Sequence, residues 1–147
     1  MRDDFRQIGR ITQREASRSA AILALDENDR ILMQLRDNFE GVAAGGKWCL
    51  FGGSVEEGED LTAAACREFH EETGITLMRA EVMPLAKFAS SSNPGEVIYV
   101  FRTTRRIAVS QIKLGEGAGF AFLTQEQTAQ FDVIENVAQM LAKVKLV

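Results

Sequence analysis

The sequence predicts a single α+β domain, and three observations carry that expectation. Short apolar stretches bounded by turn-forming residues, at positions 19–25, 30–35, 48–51, 81–89, 97–102 and 120–123, read as strands. Two longer stretches, 60–74 and 124–144, carry helix composition and helix punctuation. The chain has 147 residues, 46% hydrophobic and 26% charged, which suits one globular unit with a buried core.

Taken in order, the elements begin after an arm rich in arginine and polar residues, positions 1–18. Residues 19–25 are apolar, Asp26-Glu27-Asn28-Asp29 is turn chemistry, and residues 30–35 alternate in part, so the two segments read as a hairpin. A glycine-bearing loop at 41–46 leads to the apolar run Trp48-Cys49-Leu50-Phe51, which reads as a strand ending at Gly52-Gly53. A helix follows, with Asp60 where an N-cap belongs, alanines in its interior, and Gly74 where a left-handed cap belongs. Residues 81–89 and 97–102 flank the turn Ser92-Asn93-Pro94-Gly95 and predict a second hairpin. Residues 120–123 add a strand, and 124–144 are helical with a break near Phe131-Asp132.

Composition narrows the function classes. The longest unbroken apolar run, 20–25, is far too short to span a bilayer, and the charged start Met1-Arg2-Asp3-Asp4 lacks a signal peptide's apolar stretch. A cytoplasmic protein is expected. Cys49 and Cys66 have neither CxxC spacing nor a histidine cluster, so they read as reduced core thiols rather than metal ligands or a disulfide. A formal net charge of −4 argues against nonspecific binding to nucleic acid or anionic membrane, which is driven by lysine and arginine neutralising phosphates.

The acidic residues are unevenly placed. Seven of the 21 fall between Glu56 and Glu72, opposed in that window only by Arg67. At ~100° per residue, Glu68, Glu71 and Glu72 share a roughly 100° arc of the helix, and Glu72 falls on the stripe of Leu61 and Ala65 that the core would bury. The like charges at Glu68 and Glu72 cost a few tenths of a kcal/mol, and carboxylates in the last turn oppose the helix dipole by ~0.3–1 kcal/mol each. Local stability alone does not choose such a segment. A bound divalent cation would remove both penalties.

The helix also stands at a fixed distance from the loop before it. Gly53, Glu59, Arg67-Glu68, Phe69, Glu71-Glu72, Gly74 and Ile75 match in full the Nudix box: glycine, five residues, glutamate, seven residues, Arg-Glu, an apolar residue, any residue, Glu-Glu, any residue, glycine, an apolar residue. At average residue usage, a chain this long matches it by accident less than about once in a million. The sequence therefore resembles the Nudix hydrolase family over this box, and Trp48 and the element order extend the similarity loosely to most of the domain.

That resemblance implies an α/β/α sandwich around a central mixed sheet, with the box as a loop, helix and loop beside a cleft. It implies metal-dependent hydrolysis of a phosphoanhydride bond in a small nucleotide-like diphosphate. By position, Glu68 and Glu72 resemble the principal metal ligands, Glu71 a further ligand or partner, and the Gly52 carbonyl an oxygen donor. Arg67 resembles the residue that orients those carboxylates, and Glu59 the one that holds loop to helix beside Gly53. An all-oxygen set suits magnesium, with manganese as a substitute. The general base lies within the box in some members and on a later loop in others, where Glu116 in Leu114-Gly115-Glu116-Gly117-Ala118-Gly119 matches by rough position.

Phe51 stands where many members have proline before the glycine pair, which bears on the loop's rigidity and leaves the ligands intact. Pro84 lies too near the box for the pattern of members acting on ADP-ribose, and no tyrosine marks a diadenosine polyphosphate hydrolase. Gly41-Val42-Ala43-Ala44-Gly45-Gly46-Lys47 fits a P-loop until Trp48 replaces the required hydroxyl residue, so Lys47 reads as an exposed loop residue. His70 projects ~160° from Glu72 and reads as solvated. Tyr99, Phe101, Phe88 and Phe120 read as core, and Arg102, Arg105 and Arg106 as a solvated strand end. A non-catalytic nucleotide-sensing module on the same fold commonly loses box carboxylates, and none is lost here. An isoprenoid diphosphate isomerase would need a catalytic cysteine and ligands outside the box. The arm at 1–18 could pair with a second copy as a homodimer.

Overall fold

The architecture follows from one strand that is apolar on both faces. In β2 (Ser17–Leu23) and the residues just beyond it, Ala20, Ile22 and Ala24 face one buried cluster while Ala21, Leu23 and Leu25 face another. Such a strand belongs inside a sheet covered on both sides. The computed structural model describes residues 4–37, 45–115 and 117–146. In it β2 pairs in parallel with β7 (Glu96–Thr103) and antiparallel with β5 (Phe51–Ser54). With β1 (Arg6–Gln7) and β6 (Val82–Ala89) these form a five-stranded mixed sheet in the order β1-β6-β7-β2-β5.

Helices cover both faces. On one side α1 (Leu61–Thr73) packs Leu61, Ala64, Ala65 and Phe69 onto the sheet, with Phe69 edge-on to Phe51 at 6.2 Å between ring centres. On the other, α3 (Glu135–Lys143) contributes Val137, Met140 and Leu141 to the second cluster. The implied α/β/α arrangement around a mixed sheet is what the chain adopts. A second, smaller sheet joins β3 (Ile31–Leu35) to β4 (Trp48–Cys49) and β8 (Gly119–Leu123), and α2 (Gln125–Gln130) precedes α3.

Most elements lie where the sequence places them. The hairpin of β6 and β7 closes with Ala89 opposite Val97, and its one register shift falls beside Pro84, which has no N–H to give to the ladder. The break between α2 and α3 has a cause beyond sequence. Trp48 donates to the Asp132 carbonyl and Ile134 to the Trp48 carbonyl, both at 2.9 Å, so β4 takes the backbone bonds a continuous helix would use.

Two expectations need correction. Residues 19–25 and 30–35 do not form a hairpin: beyond the single bridge of Leu25 with Ile31, β2 and β3 lie in different sheets, because β2 is apolar on both faces and is buried between two other strands. The run Trp48 to Phe51 is not one strand, since the chain passes at Leu50 from the small sheet to the large one and continues to Ser54. The described part of the arm packs onto the large sheet. Phe5 and Ile8 are each 4% exposed, and Phe5 meets Tyr99 and Phe101 edge-on at 5.1 Å, while β1 pairs in parallel with β6. Among the described residues, no helix is long and apolar enough to cross a membrane.

Candidate active site

The site grows from the ends of α1. Asp60 caps the helix by accepting from the Ala63 N–H at 2.7 Å, which holds its carboxyl below the usual range. Gly74 ends it with φ 76° and donates to the His70 carbonyl, as the sequence predicts. Both caps fix the rotation of the helix, so that Phe69 points into the core, Glu68 turns toward Gly53 on β5 and Glu72 is buried.

Gly53 shows why a glycine opens the box. A Cβ built there would stand 2.4 Å from Cδ of Glu68 and 2.5 and 2.6 Å from its two oxygens, so the space a side chain would take is filled by the Glu68 carboxylate. Gly52 is needed for another reason: its Cβ would meet the Ala20 carbonyl oxygen at 2.4 Å, on β2 itself.

Arg67 ties loop to helix. Its Nε and Nη2 donate to the two oxygens of Glu59 at 2.8 and 2.9 Å, the forked geometry that suits guanidinium to carboxylate. Nη2 also donates to the Ser54 carbonyl at 3.0 Å, and Nη1 to Glu68 at 3.0 Å and Glu71 at 3.4 Å. The hydrogen bonds from Arg67 hold Glu59 below the usual carboxylate range and make the guanidinium's own proton harder to remove. Glu59 in turn accepts from the Glu56 N–H at 3.1 Å, closing the loop.

Glu72 is 2% exposed, whereas Glu71 is exposed and His70 lies on the open face beside Thr76. Glu72 neighbours Cys49, whose thiol also meets Arg36 and donates to Gln34 Oε1 at 3.9 Å. Burial pushes the Cys49 thiol up, with Arg36 pulling the other way. Among the described residues, no three acidic, histidine or cysteine side chains already stand together as a cage for a metal ion. The donors nonetheless fit magnesium. They are carboxylates, one buried and one cradled against a glycine backbone, and this ion typically takes one or two protein carboxylates, completing its shell with water and substrate phosphate.

Glu116 lies outside the described residues, but the chain on either side of it is anchored. Gly115 N–H donates to the Glu72 carbonyl at 2.8 Å and Ala118 N–H to the Leu35 carbonyl at 2.9 Å. A Cβ on Gly115 would meet the Glu71 carbonyl oxygen at 2.3 Å, so this loop lies hard against the end of α1.

Beside Gly52 and Gly53 opens a cleft of about 240 Å3. Its floor is apolar, from Ala21, Ile98 and Val100 with Leu50 and Val137. Arg36 and Cys49 line the side toward the box, and Ser90, Ser91, Ser92, Asn93 and Asn136 the far side, with Ser19 and Glu96 at the top of β2 and β7. None of these cleft residues outside the glycine pair was singled out as part of a site from sequence. They come from β2, the residue after β3, β4, β7, a turn and α3, and no local pattern marks them. The aromatic and basic residues weighed earlier mostly serve structure: Tyr99, Phe101 and Phe88 are buried, Arg105 forks onto Glu81, and Arg106 meets Asp29. Phe120 is half-buried against the core. The P-loop reading of 41–47 falls partly outside the described residues, and the exposed Lys47 leads into strand rather than helix.

The architecture is an α+β sandwich with a carboxylate-bearing helix set beside a cleft. A family model of the NUDIX domain matches residues 16–143, and the chain belongs to that family as a Nudix-type pyrophosphohydrolase. Among curated proteins none is similar enough to match. Solved structures agree on the fold. The MutT protein of Methanosarcina mazei Go1 is 23% identical with a TM-score of 0.70, over 95% of this chain and 94% of that one. A MutT NUDIX hydrolase from Burkholderia pseudomallei is 21% identical with a TM-score of 0.67, over 88% and 98%. A bifunctional NMN adenylyltransferase/ADP ribose pyrophosphatase from Francisella tularensis, complexed with AMP and a manganese ion, is 18% identical with a TM-score of 0.65, over 90% of this chain and 42% of that one.

Proposed function

We propose that this enzyme hydrolyses a phosphoanhydride bond in a nucleoside triphosphate or a nucleoside diphosphate-linked substrate, with Glu68, Glu71, Glu72 and the Gly52 carbonyl holding magnesium. The observation that carries this reading is that carboxylate and cleft meet at one backbone position: Gly53 lines the cleft and its missing Cβ makes room for Glu68. Manganese substitutes, in keeping with the AMP and manganese bound by the Francisella neighbour. When bound, the ion neutralises phosphate oxygens and makes water acidic enough to attack.

The chain's own residues do the rest. Arg67, through its bonds to Glu59 and Glu68, ties the loop to the helix and holds the Glu68 carboxylate in place beside Gly53. Arg36, the only cationic side chain lining the cleft among the described residues, offsets charge on the substrate's phosphates. The apolar floor takes the rest of the substrate and excludes water from it. The general base is either a carboxylate of the box or Glu116, the acidic residue between Gly115 and Gly117.

The test is phosphate and pyrophosphate release from a panel of nucleoside triphosphates, nucleotide sugars and dinucleotides. Turnover is expected to require magnesium or manganese and to fall at least about a hundredfold in Glu72→Gln, the scale on which losing a charge-stabilising group acts. Binding with no turnover of any substrate would refute hydrolysis and leave a nucleotide sensor.

A further inference from the structure

The two ends of the cleft differ in charge. Arg36 is the only cationic and Glu96 the only acidic side chain lining it among the described residues, and Glu96 stands at the start of β7, two strands across the sheet from the glycine pair on β5. The wall around Glu96 is built of serine hydroxyls and the amides of Asn93 and Asn136. A second phosphate or a carboxylate would be repelled by the Glu96 carboxylate, whereas a neutral group rich in N–H or O–H would be satisfied by it.

The geometry points to Glu96 as a specificity residue whose carboxylate accepts two neighbouring hydrogen-bond donors from the nucleoside end of the substrate. This rests on the cleft being the substrate site proposed above. Oε2 accepts from the Ser19 hydroxyl at 2.7 Å and Oε1 from the Asn93 amide at 3.3 Å. Each carboxylate oxygen can accept two hydrogen bonds, so each keeps one acceptor site for a ligand. Those two contacts also hold the carboxylate in one orientation. The turn that bears Asn93 is itself fixed, with Ser90 Oγ accepting from the N–H groups of Ser92 and Asn93 at 3.2 and 3.1 Å. Little freedom is left to lose when a ligand arrives, which is the condition under which hydrogen bonds discriminate strongly.

A nucleoside offers paired donors in two places: the 2′,3′-diol of ribose, and the adjacent ring N–H and amino group of guanine. GTP carries both, dGTP lacks the 2′-hydroxyl, and ITP lacks the amino group. Affinity is measured by calorimetry with α,β-methylene analogues of the three, in magnesium, beside KM and kcat for the parent nucleotides. Wild type is expected to bind the GTP analogue about tenfold to hundredfold more tightly than one of the other two, the worth of a hydrogen bond to a charged group. Glu96→Gln is expected to remove that preference, raising KM with kcat within about threefold and with unchanged melting. Lost preference over dGTP assigns the diol, and over ITP the base edge. Glu96→Asp, which keeps the charge while withdrawing it by one methylene, is expected to lose the same preference and serves if the first variant folds poorly. Wild-type preferences retained in both variants, or equal or absent binding of all three by wild type, overturn the assignment. Glu96-dependent binding without turnover counts against the hydrolase reading alone, and turnover with Glu96-independent binding against this one alone.

Discussion

Gly52 and Gly53 stand side by side yet are glycine for different reasons, and substituting each with alanine separates function from folding. In Gly53→Ala the new Cβ stands 2.4 Å from Cδ of Glu68, so the carboxylate must retreat by about 1 Å to reach ordinary contact near 3.4 Å. The obstructing atoms are the end of a flexible side chain. The retreat stretches the 3.0 Å bond from Arg67 Nη1, costing about 1 kcal/mol, or ~2–4 °C in a domain of this size. A 1 Å misplacement of a catalytic group lowers turnover on the order of a hundredfold. In Gly52→Ala the Cβ meets the Ala20 carbonyl oxygen at 2.4 Å and Ala21 Cα at 2.7 Å, which are backbone and cannot rotate away. Moving β5 off β2 costs about 3 kcal/mol or more, on the order of 10 °C. Thermal unfolding and magnesium-dependent nucleotide hydrolysis on both variants decide the matter. A Gly53→Ala protein with activity within threefold of wild type would show that the position of the Glu68 carboxylate does not matter to the reaction, and the reasoning about the cradle would fail.

Two further perturbations test the fold. Phe5→Ala removes a buried ring packed edge-on against Tyr99 and Phe101, and is expected to cost about 3–5 kcal/mol by chemical denaturation; a loss under about 1 kcal/mol would mean the arm does not contribute to the core. Asp26 is buried, and burial pushes its carboxyl up. The N–H groups of Arg30 and Asn28 and the Arg30 guanidinium outweigh this and hold it below its ordinary 3.8. A folded-state pKa that is depressed gives stability that is complete above the unfolded value and lost as pH falls through the lower folded one. Asp26→Asn is therefore expected to melt lower than wild type at pH 7, by at most about 1 kcal/mol because Arg30 is half-exposed, with the gap closing below about pH 4. A gap that widens toward acid contradicts the assignment.

By itself the sequence determined what is local. The helix between Asp60 and Gly74, the turn at Asp26 to Asp29, the hairpin turn before Gly95 and the spacing from Gly53 through Glu72 are written within a few helical turns or one loop, where caps, periodicity and turn residues act on near neighbours. The family resemblance and the carboxylates that carry it belong to the same short segment. The tertiary structure alone decided partnership at long range. The unbroken apolar run of β2 says that both faces are buried but not that its neighbours are β5 and a parallel β7, nor that Leu50 is where the chain changes sheets. The cleft is of that second kind: Arg36, Ser19, Glu96 and Asn136 belong to separate elements, and only the packing of two sheets and α3 puts them around one space. Hydrophobic burial is non-directional, so it announces in sequence that a face will be covered and leaves the choice of cover to the fold.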